Sequence, residues 1–298
     1  WAWWPVKKIE SISGCMHIEK TADYQSLLDY WSNGGTRPTV EFAKNTLFDL
    51  TEKLKAENCI VQRDVIDAMF RQVNSDETIP FKKHKVPGII FATDYDLGVM
   101  GQAYNDFDYG NYSVSSGNYN PWNNGWIYRN DGVDIERSAD TLRSNGFNVG
   151  WMQTNEWMKY SIDAEESGVY EIRLRVAVGG SGGFIHFSTG DAGITKRVFV
   201  GPTGGWQTWK NLKIEDVILN QNDKSIVLYV DQAGFNISSF EFLKTEKNVE
   251  DIETTFLSGE THDEYTLKIS INKRLKENTN VKAEDFEVMV DGNPFKIK

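Results

Sequence analysis

The stretch GVYEIRLRVAV, residues 168–178, constrains the fold of this chain more than any other segment. Apolar and charged residues alternate through it in the order Tyr170, Glu171, Ile172, Arg173, Leu174, Arg175, Val176. A period of two places every apolar side chain on one face, which is typical of a half-buried antiparallel strand. A helix would require apolar residues three and four positions apart, so this segment predicts a sheet with one face in a core.

Several shorter segments carry the same signal and are separated by Gly, Asn and Asp turns. They are WMKYSID (157–163), GFIHFST (183–189), SIVLYVD (225–231) and ISSFEFL (237–243). Many short strands with no helix between them indicate a β-sandwich. We therefore predict a mainly β chain whose sandwich occupies residues 89–244.

Residues 1–80 have a different, mostly helical character. One amphipathic stripe follows three-four spacing and consists of Val40, Ala43, Leu47, Leu50 and Leu54, with Pro38 suited to the first turn. A second stripe consists of Val61, Val65, Ile66, Met69, Phe70 and Val73. Before them, WAWWPVKKI reads as a short buried strand closed by Pro5.

Two segments flank the predicted sandwich. The polar stretch 74–88 ends in a Pro-Gly turn, and we place a linker at residues 81–88. Beyond 244, residues 249–298 contain two strand candidates, YTLKISINKRL and DFEVMVDGNPFKI. Two or three strands rarely fold alone, so this segment is expected to be a truncated, Ig-like β domain or to pack on its neighbour.

Composition excludes some classes of function. The chain has 32 Lys and Arg against 43 Asp and Glu, a net charge of −11, whereas phosphate-binding surfaces need a basic excess. Nucleic acid is therefore not an expected partner, and no apolar run is long enough to span a bilayer. The two cysteines, Cys15 and Cys59, show no metal-ligand spacing and are expected to be thiols. The first residue is Trp and no secretory signal follows, which suggests a processed chain or an excised piece.

Ten tryptophans and twelve tyrosines make the chain rich in aromatic residues, and one of them stands out. In GPTGGWQTWKN, residues 201–211, Trp206 follows a Thr-Gly-Gly turn and precedes Gln207. Trp206 is either the first core residue of a strand or an exposed platform for a flat ligand such as a pyranose ring. Trp209 is expected in the core.

Six ordered motifs resemble carbohydrate-binding module family 6. They are AYND (103–106), YRNDGVDIE (128–136), NVGW to NEWMKY (148–160), GVYEIRLRVA (168–177), TGGWQTW (203–209) and GFNISSFEF (234–242). The resemblance covers about residues 87–244 and implies a jelly-roll β-sandwich with a sugar site in the loops at one end.

The resemblance also implies which residues bind sugar. Two family aromatics that sandwich a sugar ring correspond to Trp151 and Trp206, and the family's hydroxyl-binding Asn corresponds to Asn236. Glu136 matches a position that often supplies a polar contact. Each has a structural alternative: Trp151 and Trp206 as core residues, Asn236 as a turn residue or glycosylation acceptor, and Glu136 as a solvated or structural carboxylate.

A second aromatic group lies in the loop SSGNYNPWNNGWIYRN, residues 115–130. Tyr119, Trp122, Trp126 and Tyr128 either add an extra subsite to the sugar site or pin an ordered loop.

The resemblance implies a structural calcium, but the sequence departs from the family at two of the usual ligand positions. Family members carry two acids in the first strand, and the equivalent residues here are Phe91 and Thr93. Calcium prefers several hard oxygen ligands, and a Phe side chain supplies none. Asp94, Asp96 and Asp106 are the remaining candidate ligands.

The segment WAWWP resembles the end of a glycoside hydrolase family 5 (β/α)₈ barrel, so residues 1–80 are interpreted as an incomplete barrel remnant. The resemblance implies that a Trp here lines the sugar subsite beside the cleaved bond, with Trp3 and Trp4 as candidates. The barrel's catalytic carboxylates would precede Trp1, so the missing strands would belong to the same or another polypeptide.

Three functions are compatible with these features. The first is a non-catalytic module of a secreted endoglucanase or xylanase that binds a β-linked glucan or xylan. The second is hydrolysis by the chain itself, which needs a pair of acids among Asp131, Asp134, Glu136 and Glu156. The third is a structural or adhesive protein. Secretion is inferred because such polymers are met outside the cell.

Overall fold

The computed structural model describes residues 5–71, 75–107, 123–190, 192–261, 267–273, 282, 288–290 and 293–295. Trp3, Trp4, Tyr119 and Trp122 lie outside these residues. No helix in the described part of the chain is long and apolar enough to cross a membrane.

The N-terminal segment combines three helices with a small sheet. Its elements in chain order are β1 (Lys7–Ile9), β2 (Met16–Ile18), α1 (Ala22–Asn33), α2 (Val40–Lys53), β3 (Ile60–Val61) and α3 (Arg63–Phe70). β2 pairs with β1 in parallel and with β3 antiparallel. Thr21 and Thr39 cap α1 and α2, each accepting a hydrogen bond from the backbone N–H three residues ahead. Helix α2 therefore begins at Val40 with Thr39 as its N-cap, and Pro38 lies before its first turn.

The predicted apolar stripe of α2 is helical but mostly not buried. Leu50 is buried, while Val40 is 80% exposed and Leu47 is 40% exposed. Phe48, outside the stripe, is 61% exposed as well. The periodicity correctly predicted a helix, yet the described residues bury only part of its apolar surface.

The middle of the chain is a two-sheet sandwich, as predicted. Its strands are β4 (His84–Val86), β5 (Gly88–Phe91), β6 (Tyr104–Asn105), β7 (Ile135–Arg137), β8 (Phe147–Val149), β9 (Trp157–Ala164), β10 (Gly168–Val178), β11 (Gly183–Thr189), β12 (Ala192–Gly193), β13 (Val198–Val200), β14 (Gly205–Leu219), β15 (Ser225–Gln232) and β16 (Asn236–Lys244).

These strands form two sheets in the described residues. One has the order β14-β10-β16-β8-β7, with β5 also paired to β16. The other has the order β12-β11-β15-β9-β4, with β13 on β11 and β6 on β9. The alternating residues of β10 behave as predicted, because Tyr170, Ile172 and Leu174 are fully buried in the core between the sheets. Phe240 of β16 and Phe187 of β11 meet across that core with ring centroids 5.2 Å apart.

The stretch 81–88 differs from the linker that its composition suggested. Residues His84–Val86 form β4, which pairs in parallel with Ile162–Ala164 of β9. Phe81 and Val86 are both buried. The sandwich therefore includes this stretch, because apolar residues interspersed among its lysines join the core.

The described residues of the C-terminal segment form four further strands: β17 (Phe256–Thr261), β18 (Leu267–Ile271), β19 (Val288–Val290) and β20 (Asn293–Phe295). β17 pairs antiparallel with β18, and β19 with β20. The segment begins against the sandwich, where Ile252 packs on Val169 and Ile218. β17 was not among the sequence-predicted strands.

The N-terminal segment contacts the sandwich through α3. Oδ2 of Asp64 accepts a hydrogen bond of 2.5 Å from the backbone N–H of Asn130. Asp64 is 5% exposed, and burial, reinforced by nearby Asp131, raises its pKa to about 6. Cys15 and Cys59 of this segment are free, half-buried thiols.

Candidate functional site

One end of the sandwich gathers the four residues that the resemblance assigned to sugar binding. Trp151 lies two residues after the end of β8 at Val149. Trp206 is the second residue of β14, and Asn236 is the first residue of β16. Because β14 and β16 are both antiparallel to β10, their starts meet at the end of β10. Glu136 of β7 completes the group.

The four residues line one cleft of about 410 Å³, together with Met152, Gly234 and Phe235. Trp151 is 51% exposed and Trp206 is 50% exposed. Neither indole is a core residue, so the packing alternative for both tryptophans is wrong. A cleft with two half-exposed indoles offers flat apolar surface that folding leaves uncovered.

Trp206 rests on a glycine. A Cβ placed on Gly179 would lie 2.6 Å from Nε1 and 2.7 Å from Cδ1 of Trp206, closer than real Cβ atoms approach. On neighbouring Gly180, the nearest ring atom would be 3.9 Å away, an ordinary contact. The indole of Trp206 can therefore occupy this position because Gly179, immediately after β10, has no side chain.

Trp151 is held by an unusual backbone conformation. Its φ of 48° lies in the left-handed region, which non-glycine residues rarely adopt. Cζ3 of its ring would lie 3.4 Å from a Cβ on Gly125, so the loop around residue 125 lies against the indole. Such strain persists only where surrounding structure over-determines it, and here it directs a large aromatic ring into the cleft.

Glu136 is the centre of a network of side-chain amides. Its Oε1 accepts hydrogen bonds from Nδ2 of Asn148 at 3.1 Å, Nε2 of Gln207 at 2.8 Å and Nδ2 of Asn236 at 2.9 Å. A carboxylate acceptor strengthens hydrogen bonds from neutral donors. Glu136 is thus a structural organiser of the cleft as well as part of its lining.

The same network orients Asn236, which is 4% exposed. Nδ2 of Asn236 also donates to the backbone O of Trp206 at 2.9 Å, so both amide hydrogens have protein acceptors. A Cβ on Gly150 would lie 3.1 Å from Oδ1 of Asn236. Because Gly150 lacks one, Oδ1 keeps an uncovered side and can accept a hydrogen bond from a ligand hydroxyl.

Gln207 and Trp209 have roles that the sequence did not reveal. Trp209 is half-buried rather than in the core, and its Nε1 donates to Oε1 of Gln207 at 3.2 Å. The same oxygen accepts from the backbone N–H of Ala139 at 2.8 Å. Along β14, Trp206 points to one face of the strand, and Gln207 and Trp209 point to the other. This period of two was the sequence signal that could have distinguished the role of Trp209 from that of Trp206.

The aromatic loop divides into two parts. Tyr119 and Trp122 fall outside the described residues, as do the barrel candidates Trp3 and Trp4, and their assignments stay predictions. Trp126 is half-buried and is not among the residues lining the cleft.

Tyr128 is not among the described residues that line the cleft. Its ring lies 4.6 Å from that of Phe147, and its hydroxyl donates to Oδ1 of Asp94. These internal partners of its ring and its hydroxyl favour the alternative that Tyr128 pins an ordered loop.

The residues at the implied calcium position do not fit that ion. Phe91 supplies no side-chain oxygen, and Oγ1 of Thr93 accepts a hydrogen bond of 3.0 Å from Nδ2 of Asn145. Asp96 accepts from the backbone N–H and the hydroxyl of Ser161 at 2.8 and 2.7 Å, and burial raises its pKa.

The other candidate ligands do not complete a site. Asp94 accepts from Tyr128, and Asp106 is 5% exposed. Within the described residues, no group of three or more His, Cys, Asp or Glu side chains is arranged to hold a metal.

The acids considered for hydrolysis have partners inside the protein. Asp131 pairs with Arg129 at 2.7 Å, Asp134 accepts from Asn124, and Glu156 accepts from the backbone N–H of Gln153 at 2.8 Å. Of these acids only Glu136 is among the described residues that line the cleft. A glycosidase needs two carboxyl groups flanking the bond that it cleaves.

Fold and cleft together define a β-sandwich module with an aromatic cleft at one loop end. Residues 127–244 match the family model of carbohydrate binding module (family 6). This match confirms the resemblance over residues 127–244. The resemblance of residues 1–80 to a hydrolase barrel stays a prediction.

The chain is also similar, at low identity, to solved structures of carbohydrate-binding modules. A β-1,3-glucan binding family 6 module from Bacillus halodurans is 22% identical, covering 55% of this chain and 100% of that one, with a TM-score of 0.39. A module of Cellvibrio mixtus lichenase 5A in complex with cellotriose is 29% identical, covering 39% and 89%, with a TM-score of 0.35. One from Clostridium stercorarium in complex with cellobiose is 18% identical, covering 55% and 98%, with a TM-score of 0.38.

Proposed function

We propose that the chain binds a polysaccharide through the cleft of Trp151, Trp206, Asn236 and Glu136. The observation that carries this proposal is the position of two half-exposed indoles in one cleft whose polar wall is already hydrogen-bonded. The family match over residues 127–244 supports the same function.

Each part of the cleft has a distinct role in this proposal. The C–H faces of a pyranose ring stack on the indoles of Trp151 and Trp206, which lose little side-chain entropy because the rings are rigid. Oδ1 of Asn236 accepts a hydrogen bond from a sugar hydroxyl. The carboxylate of Glu136 holds the Asn236 amide in the receptive orientation.

The affinity expected from one such site is modest. A dissociation constant between about micromolar and millimolar corresponds to about 4–8 kcal/mol of binding free energy. Tethering then matters more than affinity, because a linked enzyme stays at high local concentration on an insoluble glycan. We therefore propose the chain as an ancillary module of a secreted glycoside hydrolase of the endoglucanase or xylanase type.

A β-linked glucan or xylan is the proposed ligand. Affinity electrophoresis of the whole chain tests it directly, with gels containing mixed-linkage glucan, xylan, hydroxyethylcellulose or laminarin, and gels containing the α-linked dextran as comparison. Retardation by at least one β-linked polymer and none by dextran is expected. Unretarded migration in every gel would contradict the proposed binding function.

The N-terminal segment supports the proposal of a barrel partner. Trp31, Val40 and Phe48 of α1 and α2 are 56%, 80% and 61% exposed. Contiguous apolar surface of this kind marks places where another protein surface packs. We propose that the remainder of a family 5-like barrel, from the same or another polypeptide, covers it.

Two activity measurements test the enzymatic setting. A reducing-sugar assay on the chain alone is expected to show no hydrolysis. Placing the chain downstream of a family 5 endoglucanase barrel is expected to raise activity on insoluble glucan and leave activity on soluble glucan unchanged. Equal activity on both substrates, with and without the chain, would argue against the tethering role.

A further inference from the structure

The turn that follows β5, residues 92–96, contains Thr93, one of the two positions at which the resemblance implies a calcium ligand, and the remaining candidates Asp94 and Asp96. We propose that the guanidinium of Arg129 takes the place of that ion as the cation that holds this turn, so that the sandwich needs no calcium. The proposal rests on the side-chain environment of Arg129 and is independent of the proposed sugar-binding function.

Arg129 is fully buried, and its N–H groups point at oxygens of the turn. Nη1 donates to the backbone oxygens of Thr93, at 3.5 Å, and of Tyr95, while Nη2 donates to the backbone oxygen of Asp96 at 3.2 Å. Three carbonyls within four residues therefore converge on one guanidinium.

The charge of Arg129 is compensated locally. Oδ2 of Asp131 lies 2.7 Å from Nη2 and 3.2 Å from Nε. The guanidinium carbon lies 3.6 Å from the ring centroid of Tyr95 and 4.5 Å from that of Phe81. A buried cation needs such pairing, because an unpaired charge in the interior is very unfavourable.

These oxygens are the kind that calcium collects. Carboxylates and backbone carbonyls are its preferred ligands, and here a carboxylate and three carbonyls surround Arg129. With the guanidinium bonded to them, they are not available to a metal ion. Phe91 and Thr93 supply no carboxylate to this turn, whereas Arg129 supplies a cation that is bonded to its carbonyls.

Arg129 also connects the turn to the loop that leads to the cleft. Nδ2 of Asn123 donates to the backbone oxygens of Arg129 and Asp131, each at 2.9 Å. The same loop carries Gly125, which lies against Trp151. The backbone of Arg129 is therefore bonded to the loop that supports one cleft indole, while its side chain is bonded to the turn.

Thermal unfolding of the whole chain tests the proposal. We expect the unfolding midpoint to be the same, within about 1 °C, after chelation with EDTA and in excess Ca²⁺. A rise of several degrees with Ca²⁺ would overturn the proposal, because a ligand that binds the folded state raises its stability.

A pair of arginine variants supplies the second measurement. Arg129→Lys keeps the charge but loses the planar fork, and the midpoint is expected to fall by about 10 °C. Arg137→Lys is the matched control, since Arg137 is 65% exposed in its side chain and pairs with exposed Glu19. An unchanged midpoint for Arg129→Lys would overturn the proposal. If that variant does not fold, the result agrees with the proposal and the Ca²⁺ titration of the native chain decides.

Discussion

A hydrogen bond of 2.9 Å joins Nδ2 of Asn236 to Oε1 of Glu136, two residues 100 positions apart in the chain. It connects the start of β16 to β7 across the floor of the aromatic cleft. Because the same Nδ2 also donates to Trp206, the amide cannot rotate without losing both bonds. The acceptor oxygen of Asn236 is therefore set in place before any ligand arrives, and preorganisation of this kind lowers the cost of binding.

Replacing Trp206 is expected to remove most binding. Trp206→Ala deletes one stacking surface, so the affinity for a retained polysaccharide should fall at least about tenfold, or about 1.4 kcal/mol. Isothermal titration and affinity gels measure this loss. Trp31→Ala is the matched control, because Trp31 is 56% exposed but lies on α1 outside the cleft. Equal loss in both variants, or none in Trp206→Ala, would contradict the assigned site.

Two adjacent glycines offer a finer test of how Trp206 is positioned. In Gly179→Ala the new Cβ would lie 2.6 Å from Nε1 of Trp206, and the ring must move. Affinity is expected to fall about three- to tenfold, or about 0.7–1.4 kcal/mol, in calorimetric titration. Gly180→Ala places its Cβ 3.9 Å from the same ring and should bind as the native chain does. Similar affinities in the two variants would show that Gly179 does not position the indole.

The amide network around Glu136 should contribute to both binding and stability. Glu136→Gln removes the charge that strengthens three hydrogen bonds and brings a competing amide donor into the network. We expect the free energy of unfolding to fall by about 1–2 kcal/mol and the affinity to fall with it. Urea denaturation measures the first effect. Glu165→Gln, whose side chain is 52% exposed, is the control and should change neither quantity.

Asp64 should make the contact between α3 and the sandwich pH-dependent. Its pKa is raised from 3.8 to about 6, mainly by burial, so the folded state binds a proton that the unfolded state has released between these values. Its contribution to stability is full below about pH 4 and is lost as the pH rises to about 6, by up to about 3 kcal/mol.

The difference in unfolding free energy between the native chain and Asp64→Asn isolates this contribution. Measured from pH 4 to pH 7, the native chain should lose stability relative to the variant and then stay level. Asp49→Asn, at an exposed position on α2, is the control and should show no such trend. A constant difference between the native chain and Asp64→Asn would rule out the proposed titration.

The strands of the sandwich could be predicted because their pattern is local. In β10 the alternation of Ile172 and Leu174 with charged residues depends on nothing beyond the strand, and both residues are buried as that pattern requires. Segment 81–88 shows the limit of this reasoning. Its lysines suggested a linker, but pairing with β9 and burial of Phe81 and Val86 outweighed the local composition.

The cleft shows the same division at the level of single residues. Trp206 could be selected because a glycine turn precedes it, whereas Trp209, three residues later, was assigned to the core and instead supports Gln207. The roles of Gly179 and Gly150 could not be predicted, since each depends on an atom far away in the chain. The effect of a glycine's missing Cβ can be judged only when the atoms that surround it in the folded structure are known.

The sequence by itself determined the class of fold and the aromatic and polar residues from which a sugar site can be built. Periodicity and turn chemistry act over a few residues, so they can be read from the chain directly. Only the tertiary structure decided that Trp151, Trp206 and Asn236 share one cleft and that Glu136 organises it. It also decided that a buried arginine occupies the oxygen-rich turn after β5. These relationships arise from strand pairing over many residues, and hydrogen-bond partners are selected by distance in space rather than along the chain.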